Sequence, residues 1–451
     1  MTGCTVKELC AAVGGTLLQE SGAVVTEVST DSRSIPAGAL FVPLAGERFD
    51  GHDYLDAALE SGAAGCLTAR KPASLLQDKF YIQVSDTLEA LKALASWYRA
   101  KFDIPMVQVT GSAGKTTTKE MIAAVLNQHF STLKTQANFN NAIGTPLTLL
   151  NLSPAHQAAV IETGMNHFGE IRYLGEMVRP TVAVITNVGD AHIENLGGTR
   201  QGILQAKCEI FENLQPVGLA VLNGDDELLS GLALPFETVL CGRHERCGVR
   251  VTNVVEHGIE GVTCTVTTKR DVYEVSIPSP GAYMIYPAAM AIAIGEHLGL
   301  TKVELLSGIA AYRPVGSRMH LVRCSGDRII IDDCYNANPQ AMAEALRILA
   351  QTEHPRRMAV LGDMGELGDL TEQAHRDIGE LTRTLGLDTV VAVGPKAKAI
   401  QDANPDALWF PTVAEALPAI RAAFTTGTAV LVKASHAMHF TDIVKDLEST
   451  E

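Results

Sequence analysis

The fold is decided by the stretch Thr110-Gly111-Ser112-Ala113-Gly114-Lys115-Thr116-Thr117-Thr118-Lys119. It follows the apolar run Met106-Val107-Gln108-Val109 and opens an amphipathic stretch over residues 120–130. This order predicts a strand, a glycine-rich loop and a helix. In such a loop, backbone N–H groups and the positive end of the helix bind a polyphosphate, Lys115 reaches its outer phosphates, and the Thr116 hydroxyl can bind Mg²⁺. We therefore predict that a nucleotide is bound by Gly111, Ser112, Ala113, Gly114, Lys115, Thr116 and Thr117.

The composition is that of a folded chain and not of a disordered or nucleic-acid-binding one. The chain has 451 residues, of which 46% are hydrophobic and 19% are charged. This length is enough for roughly two to four domains, each with its own core. The formal charge of −15 argues against a nucleic-acid-binding surface, because phosphate backbones require basic patches.

The sequence indicates neither secretion nor membrane insertion. Residues 1–15 lack a basic segment followed by an apolar core, and no apolar run approaches the roughly 18 residues that a membrane span requires. The nine cysteines include no Cys-x-x-Cys pair, so we expect free thiols in a reducing compartment. We therefore expect a cytoplasmic protein without membrane insertion.

The patterning divides the chain into three blocks and predicts an α/β fold. Residues 1–82 mix short strands with turns and are predicted to form a small N-terminal α/β domain. Residues 83–313 alternate apolar strands with helical patterns, which predicts a mostly parallel sheet. Polar–apolar alternation over residues 249–277 adds a small antiparallel sheet. From residue 314 the alternation restarts, so residues 314–451 are predicted to form a third α/β domain of Rossmann-like type. The predicted buried strands are 106–109, 158–161, 182–185, 219–222, 329–331, 358–361, 390–393 and 429–432.

Polar residues follow several of these strands, and ligands bind open α/β sheets at that edge. Glu162 ends the strand 158–161, and a carboxylate beside a phosphate loop is a sensible Mg²⁺ ligand. A solvated strand-end glutamate is the alternative. His192 could be a metal ligand, although a lone histidine is more often structural. Lys207 lies in a helical stretch, where a lysine normally points to water.

The third block carries a dense polar string directly after its first apolar run. It reads Asp332-Asp333-Cys334-Tyr335-Asn336-Ala337-Asn338-Pro339, with Pro339 placed to open the next helix. Later strands of the same block end in Gly362-Asp363-Met364-Gly365-Glu366-Leu367-Gly368 and in Lys433-Ala434-Ser435-His436. Polar loops gathered at one edge of a sheet favour a functional role.

Together these strings resemble the Mur ligase family of peptidoglycan synthesis. The family's loop, Thr-Gly-x-x-Gly-Lys-Thr-Thr, accounts for Val109, where the usual phosphate loop has a glycine. Residues 332–339 are similar to the Asp-Asp-x-Tyr-Asn-Ala-Asn-Pro of the branch that adds D-alanyl-D-alanine to UDP-N-acetylmuramoyl-tripeptide. Two further strings support the resemblance, which spans nearly the whole chain: Asn138-Phe139-Asn140-Asn141-Ala142-Ile143-Gly144-Thr145-Pro146 and Ser29-Thr30-Asp31-Ser32-Arg33.

The resemblance implies a three-domain, ATP-dependent carboxylate–amine ligase that works through an acyl phosphate. The N-terminal domain would hold the UDP end of the substrate, the central domain would bind ATP, and the C-terminal domain would swing over to close the site. Two Mg²⁺ ions are implied, one held by Thr116 and Glu162 and one by His192 together with a carbamylated Lys207. We expect a monomer.

The resemblance also assigns residues to each part of the site. The candidate catalytic residues are Lys115, Glu162, His192 and Lys207. UDP-substrate contacts are implied for Ser29, Asp31, Ser32 and Arg33, and nucleotide contacts from the third domain for Arg318 and Asp333. Roles in substrate binding or closure are implied for Asn141, Thr145, Tyr335, Asn336, Asn338, Lys433 and Ser435.

The chain departs from the family pattern at two places. Tyr283 and Pro287 stand where the family has His and Asn near the adenine pocket, and His436 stands where the family's Lys-x-Ser-Arg pattern has Arg.

Two alternative functions are open. The nearest alternative is another ligase on the same scaffold, either one that adds the third peptide residue or a folylpolyglutamate synthase. A nucleotide-binding regulatory protein is the alternative of a different class. The joint presence of a phosphate loop and two candidate metal sites speaks against it.

Overall fold

The computed structural model describes residues 1–46, 49–189 and 193–449. The chain forms two compact units, one made of Met1–Cys241 with Met290–Leu300 and the other of Gly242–Ala289 with Thr301–Glu451. The division into three domains at residues 82 and 313 stays a prediction. The α/β class expected from the sequence is confirmed by the sheets described below.

The first unit begins with a small sheet of five strands. Their order is β2-β7-β6-β5-β4, parallel except for the antiparallel pair of β2 and β7, and β1 and β3 form a separate antiparallel pair. The strands are β1 Cys4–Thr5, β2 Thr16–Gln19, β3 Val24–Val25, β4 Val28–Ser29, β5 Leu40–Phe41, β6 Gly65–Thr68 and β7 Phe80–Gln83. The helices are α1 Val6–Ala12, α2 Leu55–Glu60 and α3 Thr87–Arg99.

A larger set of parallel strands follows in the same unit. Its strands run in the order β13-β12-β11-β8-β10-β9. They are β8 Met106–Thr110, β9 Thr132–Lys134, β10 Ala158–Glu162, β11 Val182–Ile185, β12 Leu219–Asn223 and β13 Glu237–Gly242. The helices between them are α4 Lys115–Leu126, α5 Gly144–Leu149, α6 Glu170–Val178, α7 Arg200–Cys208 and α8 Glu227–Ser230.

The strand register sets the position of the phosphate loop. In β8, Val109 is paired with Glu162 of β10, and Thr110 is paired with Ile185 of β11. Parallel strands end at the same edge, so the loop that leaves β8 emerges between the ends of its two neighbours. Glu162 is thereby brought next to the loop.

The helix after the loop differs from the prediction. We expected an amphipathic helix over residues 120–130, whereas α4 begins at Lys115 and ends at Leu126. It begins earlier because the loop residue Gly114 is already its N-cap. It is not amphipathic in the usual sense, since nine of its twelve residues are buried: Thr116, Thr118, Lys119, Glu120, Met121, Ile122, Ala123, Val125 and Leu126.

The second unit contains three antiparallel strands and a six-stranded sheet. The antiparallel strands are β14 Val249–Glu256, β15 Val262–Thr267 and β16 Val272–Ile277, as the alternation predicted. The six-stranded sheet has the order β17-β18-β22-β19-β20-β21, with β17 alone antiparallel to its neighbour. Its strands are β17 His320–Cys324, β18 Arg328–Asp332, β19 Arg356–Gly362, β20 Thr389–Val393, β21 Leu408–Phe410 and β22 Thr428–Lys433.

Helices cover both faces of the six-stranded sheet, because alternate residues of its central strands feed two different cores. Ile331 and Leu431 belong to one buried cluster, whereas Ile330 and Val430 belong to the other. This doubly covered, mostly parallel sheet confirms the prediction for the third block. The remaining helices are α9 Ile285–His297, α10 Lys302–Ala310, α11 Pro339–Ala350, α12 Thr371–Thr384, α13 Lys398–Ala403, α14 Val413–Ala423 and α15 Thr441–Glu448.

Two expectations about the whole chain can be compared with the structure. All nine cysteines are free thiols, as the absence of paired spacing suggested. Within the described residues, no helix has both the length and the apolar character that crossing a bilayer requires.

We predict that Gly65→Ala destabilises the N-terminal sheet. A Cβ at Gly65 would lie 2.3 Å from the carbonyl oxygen of Phe80 on β7, and backbone cannot move aside cheaply. Overpacking of this kind costs about 1–3 kcal/mol, which urea unfolding would measure. Gly22→Ala is the matched control, since a Cβ there meets nothing within 4 Å. Equal unfolding midpoints for the two variants would contradict the close packing of β6 on β7.

Candidate active site at the phosphate loop

Glycine is required at two positions of the phosphate loop. Gly114 has φ of 75° and begins α4 in the left-handed region. Gly111 has φ of 155°, and a Cβ there would lie 1.8 Å from the Thr186 hydroxyl oxygen. Both conformations are strained for residues with side chains, so these glycines let the chain turn sharply from β8 into the helix.

The loop is held in place by the segment that follows β11. The Ser112 N–H donates to the Asn187 carbonyl at 3.2 Å, and the Ala113 N–H donates to the Asn187 side-chain oxygen at 2.8 Å. The Thr186 hydroxyl in turn donates to the Ala113 carbonyl at 2.6 Å. These bonds preorganise the loop. Sequence reasoning gave Asn187 no role, although its place at a strand end was a usable signal.

Glu162 is buried and its two carboxylate oxygens have different partners. Oε2 accepts from the Thr116 hydroxyl at 2.8 Å, and Oε1 accepts from the Asn140 amide at 2.9 Å. The side chain of Glu162 is 3% exposed, which rules out the solvated alternative considered from the sequence. A hydroxyl and a carboxylate at the start of a phosphate loop are hard oxygen donors of the kind that Mg²⁺ prefers alongside nucleotide phosphates.

Lys115 lies over the loop that it belongs to. Its ammonium donates to the Gly111 carbonyl at 2.8 Å, which places a positive charge at the N-terminus of α4. The helix dipole adds positive potential at the same end. The loop therefore presents a concentrated positive field of the kind that attracts polyphosphate.

Lys207 does not point to water, which was the alternative considered for a lysine in a helical stretch. It is 3% exposed on α7. Burial lowers the pKa of its amine well below the ordinary value, and the nearby charge of Lys115 lowers it further. An amine with a lowered pKa is more often neutral and therefore nucleophilic.

Glu209, two residues after Lys207, bonds a different part of the chain. The Glu209 carboxylate accepts hydrogen bonds from the Gly169 N–H at 2.7 Å and the Arg172 N–H at 3.2 Å. It therefore provides partners for backbone N–H groups at the beginning of α6. His192, a predicted metal ligand, lies outside the described residues. Among the described residues, no three His, Cys, Asp or Glu side chains are grouped as a metal site.

The residues predicted to hold the UDP end form a compact turn after β4. The Asp31 N–H donates to the Ser29 hydroxyl at 3.1 Å, and the Arg33 guanidinium meets the Asp31 carboxylate through two bonds of 2.9 and 2.7 Å. These bonds from Arg33 hold the pKa of Asp31 at about 2, below its ordinary value. Ser32 lies between them and is half-buried. The arrangement fixes an otherwise exposed arginine in one direction.

Asn141 and Thr145 lie at the start of α5. The Asn141 side chain accepts from the Gly144 N–H at 2.9 Å and the Ile143 N–H at 3.1 Å, so it supports the turn into the helix. Thr145 is fully buried. Its hydroxyl has no hydrogen-bond partner among the described residues.

In the second unit, Asp333 is paired with Lys433. The Lys433 ammonium bonds the Asp333 carboxylate and also donates to the Asn336 carbonyl at 3.1 Å. The Met319 N–H donates to the other Asp333 oxygen at 3.0 Å. Burial raises the pKa of Asp333, and Lys433 opposes that effect. The structure therefore brings together two residues that the sequence placed at the ends of different strands, β18 and β22.

Further contacts within the second unit involve Arg318, Tyr335, His436 and Ser435. The Arg318 guanidinium lies 3.6 Å from the centre of the Tyr335 ring, a cation–π contact. The His436 ring lies 5.5 Å from the same ring, centre to centre. The Ser435 hydroxyl accepts from the Gly365 N–H at 2.8 Å.

The side chains of Asn338 and Tyr283 contact nearby parts of the second unit. The Asn338 side chain accepts from the Ala341 N–H at 2.8 Å and is the N-cap of α11. Tyr283, predicted near the adenine, packs against the core that contains Ile348 of α11. Burial raises the pKa of Tyr283 well above its ordinary value.

Comparison with known families and proteins agrees with this geometry. Three family models match the chain in order: the "Mur ligase family, catalytic domain" at residues 24–99, the "Mur ligase middle domain" at residues 109–295, and the "Mur ligase, glutamate ligase domain" at residues 317–436. The second of these contains the phosphate loop, Glu162 and Lys207.

Curated relatives and solved structures match over nearly the full length. The UDP-N-acetylmuramoyl-tripeptide--D-alanyl-D-alanine ligases of Bacillus subtilis and Escherichia coli are each 36% identical, covering 98% of both chains in the first case and 90% and 89% in the second. A crystal structure of MurF from Acinetobacter baumannii covers 100% of both chains at 31% identity with a TM-score of 0.91. MurF ligase from Thermotoga maritima in complex with ADP covers 94% of this chain and 97% of its own, at 28% identity and a TM-score of 0.82. On this similarity and on the three matched segments, the chain belongs to the Mur ligase family.

Proposed function

We propose that the chain catalyses the ATP-dependent ligation of D-alanyl-D-alanine to UDP-N-acetylmuramoyl-tripeptide, forming the pentapeptide precursor of the cell wall. The observation that carries the proposal is the full-length similarity to ligases of that name, together with the intact phosphate loop facing Glu162. The same similarity favours this ligase over one that adds the third peptide residue and over a folylpolyglutamate synthase. The monomeric state and the cytoplasmic location stay predictions.

The chemistry requires an activated carboxyl group. A carboxylate oxygen of the tripeptide attacks the γ-phosphorus of ATP, the bond to the bridging oxygen breaks, and ADP leaves. The neutral amine of the dipeptide then adds to the acyl phosphate, and the tetrahedral intermediate expels inorganic phosphate while the amine nitrogen loses a proton. Phosphoryl transfer of this type depends mostly on positioning and charge stabilisation.

The loop residues would supply that positioning. Lys115 already lies over the loop, with its ammonium at the N-terminus of α4, where it would neutralise charge on the transferring phosphoryl group. Thr116 and Glu162 fit one Mg²⁺ as oxygen donors in contact with each other. When bound there, Mg²⁺ would withdraw charge from the phosphate oxygens and orient them.

Lys207 is proposed to act as a carbamate. A neutral amine adds CO₂ to give a carbamate and releases one proton, and the product offers the anionic oxygens that Mg²⁺ binds. The support is that Lys207 is buried with a lowered pKa, which raises the fraction of reactive neutral amine. We propose that it holds a second Mg²⁺ with His192.

The other candidate residues would bind the two ends of the substrate complex. Ser29, Asp31, Ser32 and Arg33 would bind the UDP end, with Asp31 directing the Arg33 guanidinium toward an anion. Arg318 and Asp333 are proposed to contribute nucleotide contacts. Contacts to the peptide substrates are proposed for Asn141, Thr145, Tyr335, Asn336, Lys433 and Ser435. Asn338 would act indirectly, through its cap on α11.

Lys115→Met should strongly lower the rate of ligation while leaving the fold intact. Losing one preorganised charge-stabilising group costs on the order of 3 kcal/mol, about a hundredfold in rate. Phosphate release from ATP with UDP-muramoyl-tripeptide, with and without D-alanyl-D-alanine, measures it. Lys269→Met, at an exposed position between β15 and β16, is the control. A Lys115→Met enzyme with more than half the normal turnover at saturating ATP would overturn the loop assignment.

Lys207→Ala should be inactive, and short carboxylic acids should partly restore its activity by replacing the carbamate oxygens. The modification itself can be measured by carbon-13 NMR after exchange with labelled bicarbonate. We expect a carbamate resonance in the unaltered enzyme that is absent from Lys207→Met. Full activity without that resonance would exclude the carbamate.

Arg33→Gln should raise the pKa of Asp31 from about 2 toward its ordinary value, because the two guanidinium bonds are lost. The pKa of Asp31 is depressed in the folded state, so its contribution to stability is present above the ordinary pKa and is lost as the pH falls toward 2. Carboxyl NMR titration measures the change, and Arg323→Gln, which breaks an exposed pair with Glu260, should leave Asp31 unchanged. An unchanged Asp31 in Arg33→Gln would remove the basis for a directed guanidinium.

A further inference from the structure

A buried cation lies behind the phosphate loop and has no part in the mechanism above. Lys119 is on α4, one turn after Lys115, and its side chain is 1% exposed. Its ammonium donates to the Thr135 carbonyl at 2.7 Å and lies 3.0 Å from the Glu120 carboxylate. Burying an ammonium group is costly unless it is paired, so a lysine held in this position needs an explanation.

Neutralising Glu120 does not account for Lys119 by itself. Glu120 has a second cationic partner, Lys134, which bonds its other carboxylate oxygen and whose side chain is 30% exposed. Glu120 would therefore retain a counter-charge without Lys119. The second carboxylate near the Lys119 ammonium is that of Glu162, with Oε2 at 3.8 Å. Among the residues that the structure describes, Lys119 is the cation that lies within 4.0 Å of the Glu162 carboxylate.

Thr135 links Lys119 to the strand that carries Glu162. Its carbonyl accepts from the Lys119 ammonium, and its hydroxyl accepts from the backbone N–H of Glu162 at 3.0 Å. Thr135 is fully buried. Thr135 therefore ties the position of the Lys119 ammonium to the backbone of Glu162.

The 3.8 Å separation has a chemical consequence. It is longer than a hydrogen bond, so Lys119 attracts the Glu162 carboxylate without occupying a lone pair on Oε2. The direct bond to Oε2 comes from the Thr116 hydroxyl, which can rotate. Oε2 is thus held in place yet open to a cation arriving from the side of the phosphate loop.

We propose that Lys119 is a positioning residue, which holds the Glu162 carboxylate in the orientation that receives the divalent metal of the nucleotide. The proposal rests on the metal role given to Glu162 above. Outer partners of metal ligands typically contribute about 10- to 100-fold to metal affinity or activity. Removing Lys119 is therefore expected to weaken the coupling between metal and nucleotide and to leave metal-free nucleotide binding unaltered.

The test measures ADP binding by calorimetry, with Mg²⁺ and with EDTA, and takes the ratio of the two dissociation constants as the coupling. Three variants are compared with the unaltered enzyme: Lys119→Met, Lys134→Met, and the double variant Lys119→Met with Glu120→Gln. Lys134→Met is the matched control, since it removes the other cation bound to Glu120. The double variant removes one buried charge of each sign. No uncompensated carboxylate is then left at position 120.

We expect the coupling to fall at least about tenfold in Lys119→Met and in the double variant, with no change in Lys134→Met or in the EDTA measurements. Normal coupling in the double variant would overturn the proposal, because Lys119 would then serve Glu120 alone. Failure of both Lys119 variants to fold would also overturn it, in favour of a structural role. If Mg²⁺ fails to strengthen ADP binding in the unaltered enzyme, the metal role of Glu162 fails instead, and the two failures are distinguishable.

Discussion

The parallel pairing of β8 with both β10 and β11 is the constraint on which the candidate site depends. It brings the ends of three strands to one edge, so the loop leaving β8 is flanked by Glu162 on one side and by Thr186 and Asn187 on the other. The loop needs these neighbours, because its sharp turn leaves backbone groups that must find partners. The same pairing thus shapes the loop and supplies the carboxylate that faces it.

The interior near this edge contains several buried charged side chains. Lys119, Glu120 and Glu162 are all buried and lie within one connected set of contacts, and Lys207 is buried on α7. Burying charges costs free energy even when they are paired, so stability alone does not favour this arrangement. The polyphosphate and metal site proposed above would give these charges a purpose.

The second unit repeats the same principle with different residues. Asp333 at the end of β18 meets Lys433 at the end of β22, because the two strands are adjacent and parallel in the sheet. Tyr335 presents its ring to Arg318 close by. The polar string after β18 therefore has two roles, since Asn338 caps α11 while Asp333 and Tyr335 contact Lys433 and Arg318.

The sequence by itself determined the α/β class, nearly all the buried strands, the phosphate loop and the family, because apolar runs, glycine placement and short strings are local properties of the chain. It could not determine what each polar side chain contacts. The tertiary structure decided that α4 is buried on most of its surface and that Lys207 is withdrawn from water. It also decided that the Glu209 carboxylate accepts a hydrogen bond at the beginning of α6 and that Lys119 lies beside Glu162. These outcomes depend on burial and on partners from distant strands, such as Thr135 and Glu162 around Lys119, and no local pattern encodes which strands become neighbours.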